Sequence, residues 1–169
     1  MRKILLFLLL TVAAVKTMAC SCAFQDTLIE EAVLDSYKRA AAVVLATAEH
    51  VENLEPFVAE VYSADKGHHK ETYHNSQRTQ FVALKSWKGE HGKRFFTEIF
   101  IACCMCGYSF EEGENYLLYL YGPDKNGYFS TSSCSRTKRE TNEINKEIEI
   151  LNKIDLTKIS KTTPKSGAL

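Results

Sequence analysis

Six cysteines are the residues of this 169-residue chain whose type and spacing are best suited to chemistry. They form two tight groups and one single position: Cys20 and Cys22, then Cys103, Cys104 and Cys106, then Cys134. Thiols in an oxidising compartment form disulfides, whereas thiols in a reducing compartment serve as metal ligands or nucleophiles. Six cysteines allow fifteen pairings, and their spacing alone does not choose among them.

Enzymatic and metal-binding interpretations of the chain find little support. The Cys103–Cys106 group lacks the repeated Cys-x-x-Cys pairs typical of zinc sites. The sequence contains no His-Glu-x-x-His, Gly-x-Ser-x-Gly or Gly-x-x-x-x-Gly-Lys motif. The carboxylates Glu111, Glu112 and Glu114 precede a predicted strand, and we interpret them as a solvated charge cluster. The sequence therefore predicts a protein that is not an enzyme and needs no cofactor.

The first nineteen residues predict the compartment. Arg2 and Lys3 precede an apolar run over 4–15, and the small residues Thr17 and Ala19 stand three and one places before Cys20. This order is typical of a secretory signal peptide cleaved before Cys20. We therefore expect a secreted, extracellular protein, or a periplasmic or cell-surface one in a bacterium, whose cysteines are oxidised.

Two alternatives to cleavage and free secretion stay open. A retained membrane anchor is disfavoured, because twelve helical residues span about 18 Å, less than the roughly 30 Å hydrocarbon core of a bilayer. A bacterial lipoprotein is the second alternative, because a cysteine follows the cleavage site. Lipoprotein signals usually carry Leu three places before that cysteine, where this chain has Thr17.

The rest of the chain is of a size for one domain, at 20–156. From Cys20 onward it holds 18 basic and 21 acidic residues, a balance that argues against nucleic-acid binding.

Apolar periodicity predicts two helices, and residues 157–169 are read as a flexible tail. The apolar stripe of the helix over 27–38 comprises Leu28, Ala32, Val33 and Tyr37, and that of the helix over 140–156 comprises Ile144, Ile148, Leu151 and Ile154 or Leu156. Strands are predicted over 40–50, 77–88, 94–102, 115–121 and 127–133, which is typical of a barrel or sandwich. The predicted apolar positions of the strand over 77–88 are Phe81, Ala83 or Leu84, and Trp87.

Residues 52–76 are the odd segment, in which a candidate short strand over 57–62 is followed by a very polar run over 65–76. This run contains His68, His69 and His74 without the regular spacing of metal ligands on a helix or strand. We interpret it as a long solvated loop rather than a metal site.

Five segments in order resemble the N-terminal, netrin-like domain of the tissue inhibitors of metalloproteinases. The start Cys20-Ser21-Cys22-Ala23-Phe24 is similar to the Cys-x-Cys start of that family, and the strand ending in Trp87-Lys88-Gly89 is similar to one found in netrin-like modules. Cys106 to Phe110, Gly113 to Tyr121 and Thr131 to Thr137 complete the pattern. The resemblance covers about residues 20–155, and the family's cysteine-rich second domain has no counterpart in it.

The resemblance implies a mainly β fold with flanking helices, namely a five-stranded OB-type barrel of the netrin-like kind. It implies disulfides between Cys20 and Cys106 and between Cys22 and Cys134. The third bridge of the inhibitory domain has no match. Cys103 and Cys104 are surplus, and their pairing with each other, with another chain or in place of Cys106 stays open.

The resemblance also implies a function: inhibition of a zinc metalloendopeptidase. The free amine and carbonyl of mature Cys20 would chelate the protease's catalytic zinc in trans. Ser21 would point into the specificity pocket, and Cys22, Ala23 and Phe24 would extend the contact, with Cys106, Gly107 and Tyr108 alongside. The alternative is an exported or lipid-anchored netrin-like binding or adhesion module. A lipidated Cys20 would meet a membrane and, having no free amine, could not chelate zinc.

Overall fold

The computed structural model describes Cys22 and residues 28–101 and 106–162. The described elements, in chain order, are α1 Ile29–Arg39, β1 Ala42–Ser63, β2 Gly67–Lys88, β3 Arg94–Phe100, β4 Asn115–Leu120, β5 Lys138–Arg139 and α2 Asn145–Thr162. A short 3-10 helix, Asn142–Ile144, leads into α2. The strands form one antiparallel sheet in the order β3-β2-β1-β4-β5. The predicted mainly β fold with flanking helices is therefore confirmed.

The β1–β2 hairpin is far longer than the sequence predicts. Its two strands have 22 residues each and pair from Val43 with Lys88 to Ser63 with Gly67. Of β1, only the part Ala42–Thr47 pairs with β4, and of β2, only the part Ser76–Val82 pairs with β3. Residues 54–75, called the arm below, therefore form a two-stranded ribbon beyond the rest of the sheet. The prediction of a long loop over 65–76 is wrong, because β2 begins at Gly67.

One face of the sheet carries an aromatic core. Phe81 of β2 stacks on Phe95 of β3 at 5.4 Å and meets Phe110 edge-on at 4.9 Å, in geometries that aromatic pairs favour. Ala83, rather than Leu84, continues the buried side of β2, since Leu84 is 52% exposed. The remaining members of this core are Ala42, Val44, Ala46, Ala48, Ile99, Tyr116, Leu118, Leu120 and Phe129.

The two helices cover the other face of the sheet. Val33 and Tyr37 of α1 and Leu151 of α2 are buried with Trp87, whose indole Nε1 donates to Asn152. The predicted stripe of α1 is correct for Val33 and Tyr37 but wrong for Leu28, which precedes the helix and is 73% exposed. The other members of this second core are Ala40, Val43, Leu117, Tyr119, Ile144 and Ile150.

The strand predicted over 127–133 is not present. That segment makes two isolated bridges instead, Thr97 with Phe129 and Tyr121 with Ser130, so it connects β3 to the residue after β4. At Tyr119 of β4, side-chain hydroxyls from this segment and the residues after it take the place of a neighbouring strand. Thr137 Oγ1 accepts from the Tyr119 N–H at 3.0 Å, and Thr131 Oγ1 donates to the Tyr119 carbonyl at 2.9 Å. Short polar side chains compete with strand pairing in this way.

The ends of the chain add two observations. α2 continues to Thr162, so residues 157–162 are helical rather than part of the predicted tail. Within the described part of the chain, no helix combines the length and apolar character that crossing a bilayer requires. The predicted signal peptide at 1–19 lies outside the described residues.

Candidate functional site

A disulfide joins Cys22 to Cys134 across 112 residues of chain, with the two Cα atoms 5.2 Å apart. This is the pairing that the resemblance implies. Because Cys134 lies in the loop that follows the bridging segment, the bond fixes Cys22 beside the body of the protein. A backbone tethered near its start loses less conformational entropy when it docks on a partner.

Cys106 lies next to this disulfide. Its carbonyl oxygen accepts hydrogen bonds from the N–H of Ser133 at 2.9 Å and from the Ser133 hydroxyl at 3.1 Å. Cys106 has a φ of +51°, in the left-handed region that non-glycine residues seldom occupy. Cys106 is itself disulfide-bonded. The predicted partner, Cys20, lies outside the described residues, as do Cys103 and Cys104.

Gly107 and Tyr108 follow Cys106 and pass the end of β3 at Phe100. Residues 106–108 are called the ridge below. A Cβ on Gly107 would lie 2.1 Å from the Phe100 carbonyl oxygen, so only glycine allows this approach. The Tyr108 hydroxyl accepts from the Arg139 N–H at 3.1 Å. Burial raises the pKa of this hydroxyl. The ridge is therefore held by backbone contact at one end and by a half-buried ring at the other.

A glutamine side chain holds the residues after the ridge. Gln77 of β2 accepts from the Phe110 N–H at 2.7 Å and donates to the Phe110 carbonyl at 3.3 Å. Gln77 is only 4% exposed, and it also donates to Asn53 at 3.0 Å. This two-way bond satisfies backbone groups that no strand pairs, which explains why a polar residue is buried there.

A buried ion pair holds the loop that carries Cys134. The Arg136 guanidinium donates to both oxygens of Glu147 in α2, at 2.8 and 2.9 Å. Tyr119 of β4 donates its hydroxyl to the same carboxylate at 2.8 Å. Burial and the neighbouring Glu147 charge raise the pKa of Tyr119, while the hydrogen bond to Glu147 raises that of Arg136. The anchor of Cys22 thus depends on a helix far away in sequence.

The structure brings together four of the residues predicted for protease binding: Cys22, Cys106, Gly107 and Tyr108. Cys20, Ser21, Ala23 and Phe24 lie outside the described residues. The residues that position the others were not predicted from the sequence, and they are Ser133, Gln77, Arg136 and Glu147. Ser133 lies in the Thr131–Thr137 segment, which is part of the resemblance. Gln77, Arg136 and Glu147 have polar side chains, and nothing in the local sequence indicates that they are buried.

The predicted solvated cluster of carboxylates is in fact partly paired. Arg139 forms ion pairs with Glu111 and Glu114, and Glu112 accepts from the Val51 N–H at 3.1 Å. The pairs connect β5 and the base of β1 to the segment after the ridge. Since Glu111 is 72% exposed, the pair with it is expected to contribute little to stability.

The three histidines of the segment predicted as a loop, His68, His69 and His74, lie on the β2 strand of the arm. His69 lies between two acceptors, with Nδ1 3.0 Å from the Gly67 carbonyl and Nε2 3.2 Å from Glu71 Oε1. Tyr73 donates to the other oxygen of Glu71 at 2.6 Å. Among the described residues, no group of three or more His, Cys, Asp and Glu side chains is arranged to hold a metal ion.

We expect His69 to titrate above its ordinary value of about 6.5. The bond to the Gly67 carbonyl and then the bond to Glu71 raise its pKa, because both ring nitrogens must donate. A raised pKa stabilises the folded arm at pH values below the unfolded-state pKa of His69. This stabilisation is lost as the pH rises through the folded-state pKa. NMR titration of the ring should show a lower pKa in Glu71→Gln. Glu60→Gln, which removes a carboxylate that does not contact the ring, is the control. Equal values in wild type and Glu71→Gln would contradict this assignment.

Comparison with known proteins adds no family to this geometry. No protein-family model matches the chain, and no curated protein matches it in sequence.

Proposed function

We propose that this protein is a secreted inhibitor of zinc metalloendopeptidases. The observation that carries the proposal is the disulfide from Cys22 to Cys134, placed beside the ridge by the Ser133–Cys106 hydrogen bonds. This arrangement holds the chain two residues after the expected mature terminus. An inhibitor that inserts its terminus into an active site needs such a fixed starting point.

The proposed chemistry belongs to the backbone of Cys20. After cleavage, its α-amine has an ordinary pKa of about 7.7–8.0, so a substantial neutral fraction exists near neutral pH. The amine nitrogen and the Cys20 carbonyl oxygen would occupy the open positions of the protease's zinc and displace its reactive water. Ser21 would enter the adjacent specificity pocket, and Ala23, Phe24 and the ridge would contact the rims of the cleft.

We further propose that the sheet is an OB-type barrel of the netrin-like kind. The five strands, the strongly bulged β1–β2 pairing and the position of the bridging segment between β3 and the end of β4 support this proposal. Bulges are common where a sheet bends into a barrel.

The test compares two forms of the mature protein against a zinc endopeptidase of the matrix-degrading class. Protein that starts at Cys20 should inhibit, whereas protein with one alanine added before Cys20 should lose inhibition, because its amine is displaced from the chelating position. The same alanine added after Leu169 is the control and should leave inhibition intact. Equal inhibition by the two N-terminal forms in a titration would overturn the chelating mechanism.

The same experiment separates the alternative function. An exported netrin-like binding or adhesion module would inhibit in neither form, and intact mass of exported protein would then report whether Cys20 carries a lipid. A lipidated terminus would assign the protein to the cell surface and exclude zinc chelation.

A further inference from the structure

The arm, residues 54–75, has a free strand edge. From Pro56 to Ser63, the outer edge of β1 pairs with no other strand in the part of the chain that the structure describes. Such an edge presents backbone N–H and C=O groups that can pair with another chain. A two-stranded hairpin is also only marginally stable in water by itself. A further strand on this edge would therefore stabilise the arm.

The two edges of the arm differ in their residue types. The edge of β1 over 57–63 has a single charged residue, Glu60, among aromatic, β-branched and small residues. The edge of β2 over 68–74 has three histidines, a lysine and a glutamate. Charged side chains protect a strand edge from pairing. Because Val58 is 63% exposed and Tyr62 is 71% exposed, the β1 edge is apolar and open, and it is the better suited of the two to a further strand.

The β1 edge is complementary to a second copy of itself. Two antiparallel copies related by a two-fold axis at Ala59 place Phe57 opposite Val61 of the second copy, and Pro56 opposite Tyr62. Pairs of an aromatic and a β-branched residue across neighbouring strands stabilise a sheet. Proline has no N–H to donate, but Pro56 lies at the end of the paired stretch, where each copy loses at most one hydrogen bond.

Charge selects this register over the next two. With this axis, Glu60 lies opposite Val58 of the second copy and beside Lys70 of its own hairpin. An axis one residue later would place the two Glu60 carboxylates opposite each other, and like charges in that position destabilise a sheet. An axis two residues later would place Phe57 opposite Asp65. Of these three registers, only the first avoids a repulsive or mismatched pair.

We propose that two copies of this protein pair through the β1 edges of their arms, so that the two hairpins form one four-stranded antiparallel sheet. The interface is isologous, because the same edge serves in both copies. Phe57 stacks on Tyr73 of its own hairpin, with 5.8 Å between the ring centroids, and Val61 of the second copy extends this row. The edge is short against the roughly 20–30 residues a side of a standard interface, so we expect a weak dimer with a micromolar dissociation constant. This proposal is independent of protease inhibition.

The test is sedimentation velocity of the mature protein from low micromolar to millimolar concentration. The protein should shift from monomer to dimer and to nothing larger. Ala59→Lys should weaken the dimer about tenfold, because two ammonium groups would then lie opposite each other at the two-fold axis. Thr72→Lys adds the same charge to the β2 strand of the arm, and as the matched control it should leave association unchanged.

A cysteine at the axis gives a second measurement. Directly opposed residues of antiparallel strands have Cα atoms about 4.5–5.5 Å apart, a distance that a disulfide spans. Ala59→Cys should therefore form a covalent dimer under mild oxidation. Val61→Cys, which lies opposite Phe57 of the second copy, should form far less of it, and wild type gives the background from the native cysteines.

Several results would overturn the proposal. A single monomeric species at every concentration would show that no second copy pairs with this edge. Equal weakening by Ala59→Lys and Thr72→Lys would show that the added charge does not act at the axis. Equal cross-linking of Val61→Cys and Ala59→Cys would exclude the register, and assemblies that grow beyond the dimer would assign the edge to open-ended pairing of β1 with β2 of the next copy.

Discussion

Truncation of Glu147 to alanine is expected to lower the free energy of unfolding by about 3–5 kcal/mol, the cost of leaving a buried charge without its partner. Glu147 is 1% exposed, and its carboxylate accepts from both Arg136 and Tyr119. Alanine would leave the guanidinium and the phenol without an acceptor at a largely buried position, since the Arg136 side chain is 13% exposed and Tyr119 is fully buried. Since whole domains are stable by only about 5–15 kcal/mol, this loss is severe.

Denaturant unfolding of three variants would measure the effect. Glu147→Gln keeps the shape and one acceptor, so its loss should be smaller than that of Glu147→Ala. Tyr119→Phe removes one donor to the carboxylate while the ion pair remains, and it should cost about 1.5–3 kcal/mol, the range for a hydrogen bond to a charged group. A midpoint for Glu147→Ala within the error of wild type, at an unchanged denaturant slope, would show that the pair contributes nothing. Because Arg136 is two residues from Cys134, the proposed inhibition of the protease should fall along with the stability of the fold.

Removal of the Cys22–Cys134 disulfide is expected to cost about 4–5 kcal/mol in the chain-entropy view, because the closed loop is long. The loop comprises 112 residues, two thirds of the chain. The double variant Cys22→Ala with Cys134→Ala avoids free thiols. Its unfolding midpoint should fall well below that of wild type under oxidising conditions.

Reduction provides the control for that comparison. With a reductant present, wild type loses the same bond, so the two proteins should unfold at nearly equal midpoints. A difference that persists in reductant would assign the loss to side-chain packing rather than to the cross-link. If a Glu147 variant and the double cysteine variant were equally stable but inhibited unequally, the difference in inhibition would come from the positioning of the terminus and not from the stability of the fold.

The sequence predicted the sheet and helices well where burial is one-sided. Val33 and Tyr37 in α1, Phe81 and Trp87 in β2, and Leu151 in α2 are buried at the positions that periodicity indicates. These residues lie on elements with one apolar face, and the apolar face is the signal that sequence patterns carry. For that reason the mainly β class with flanking helices followed from the sequence.

Only a candidate short strand over 57–62 of the arm was predicted, because neither face of the arm is covered. Phe57 is 39% exposed and Tyr62 is 71% exposed, so apolar and polar residues alternate there without a buried side. Three turn residues before Gly67, which has a φ of +66°, were the available signal for a hairpin. Matching apolar runs on both sides of the turn would have strengthened the prediction of a hairpin. The second run is interrupted by the histidines and charged residues over 65–76.

The site was predictable in its cysteines and in Gly107 and Tyr108, but not in the residues that support them. Cys22, Cys106 and Gly107 stand in segments whose residue types resemble a known pattern. The supporting residues Gln77, Arg136 and Glu147 are polar, and polar residues are usually exposed. Their burial depends on partners that are 11 to 33 residues away, which no local pattern reports.

The long covalent loop has a consequence for resistance to proteolysis. Every peptide bond between Cys22 and Cys134, including all those of the arm, lies inside the ring that the cross-link closes. A single cut anywhere in that ring would leave the two fragments joined, and the sheet would keep both in register. Such a molecule would survive a single proteolytic nick and come apart only after both a cut and reduction.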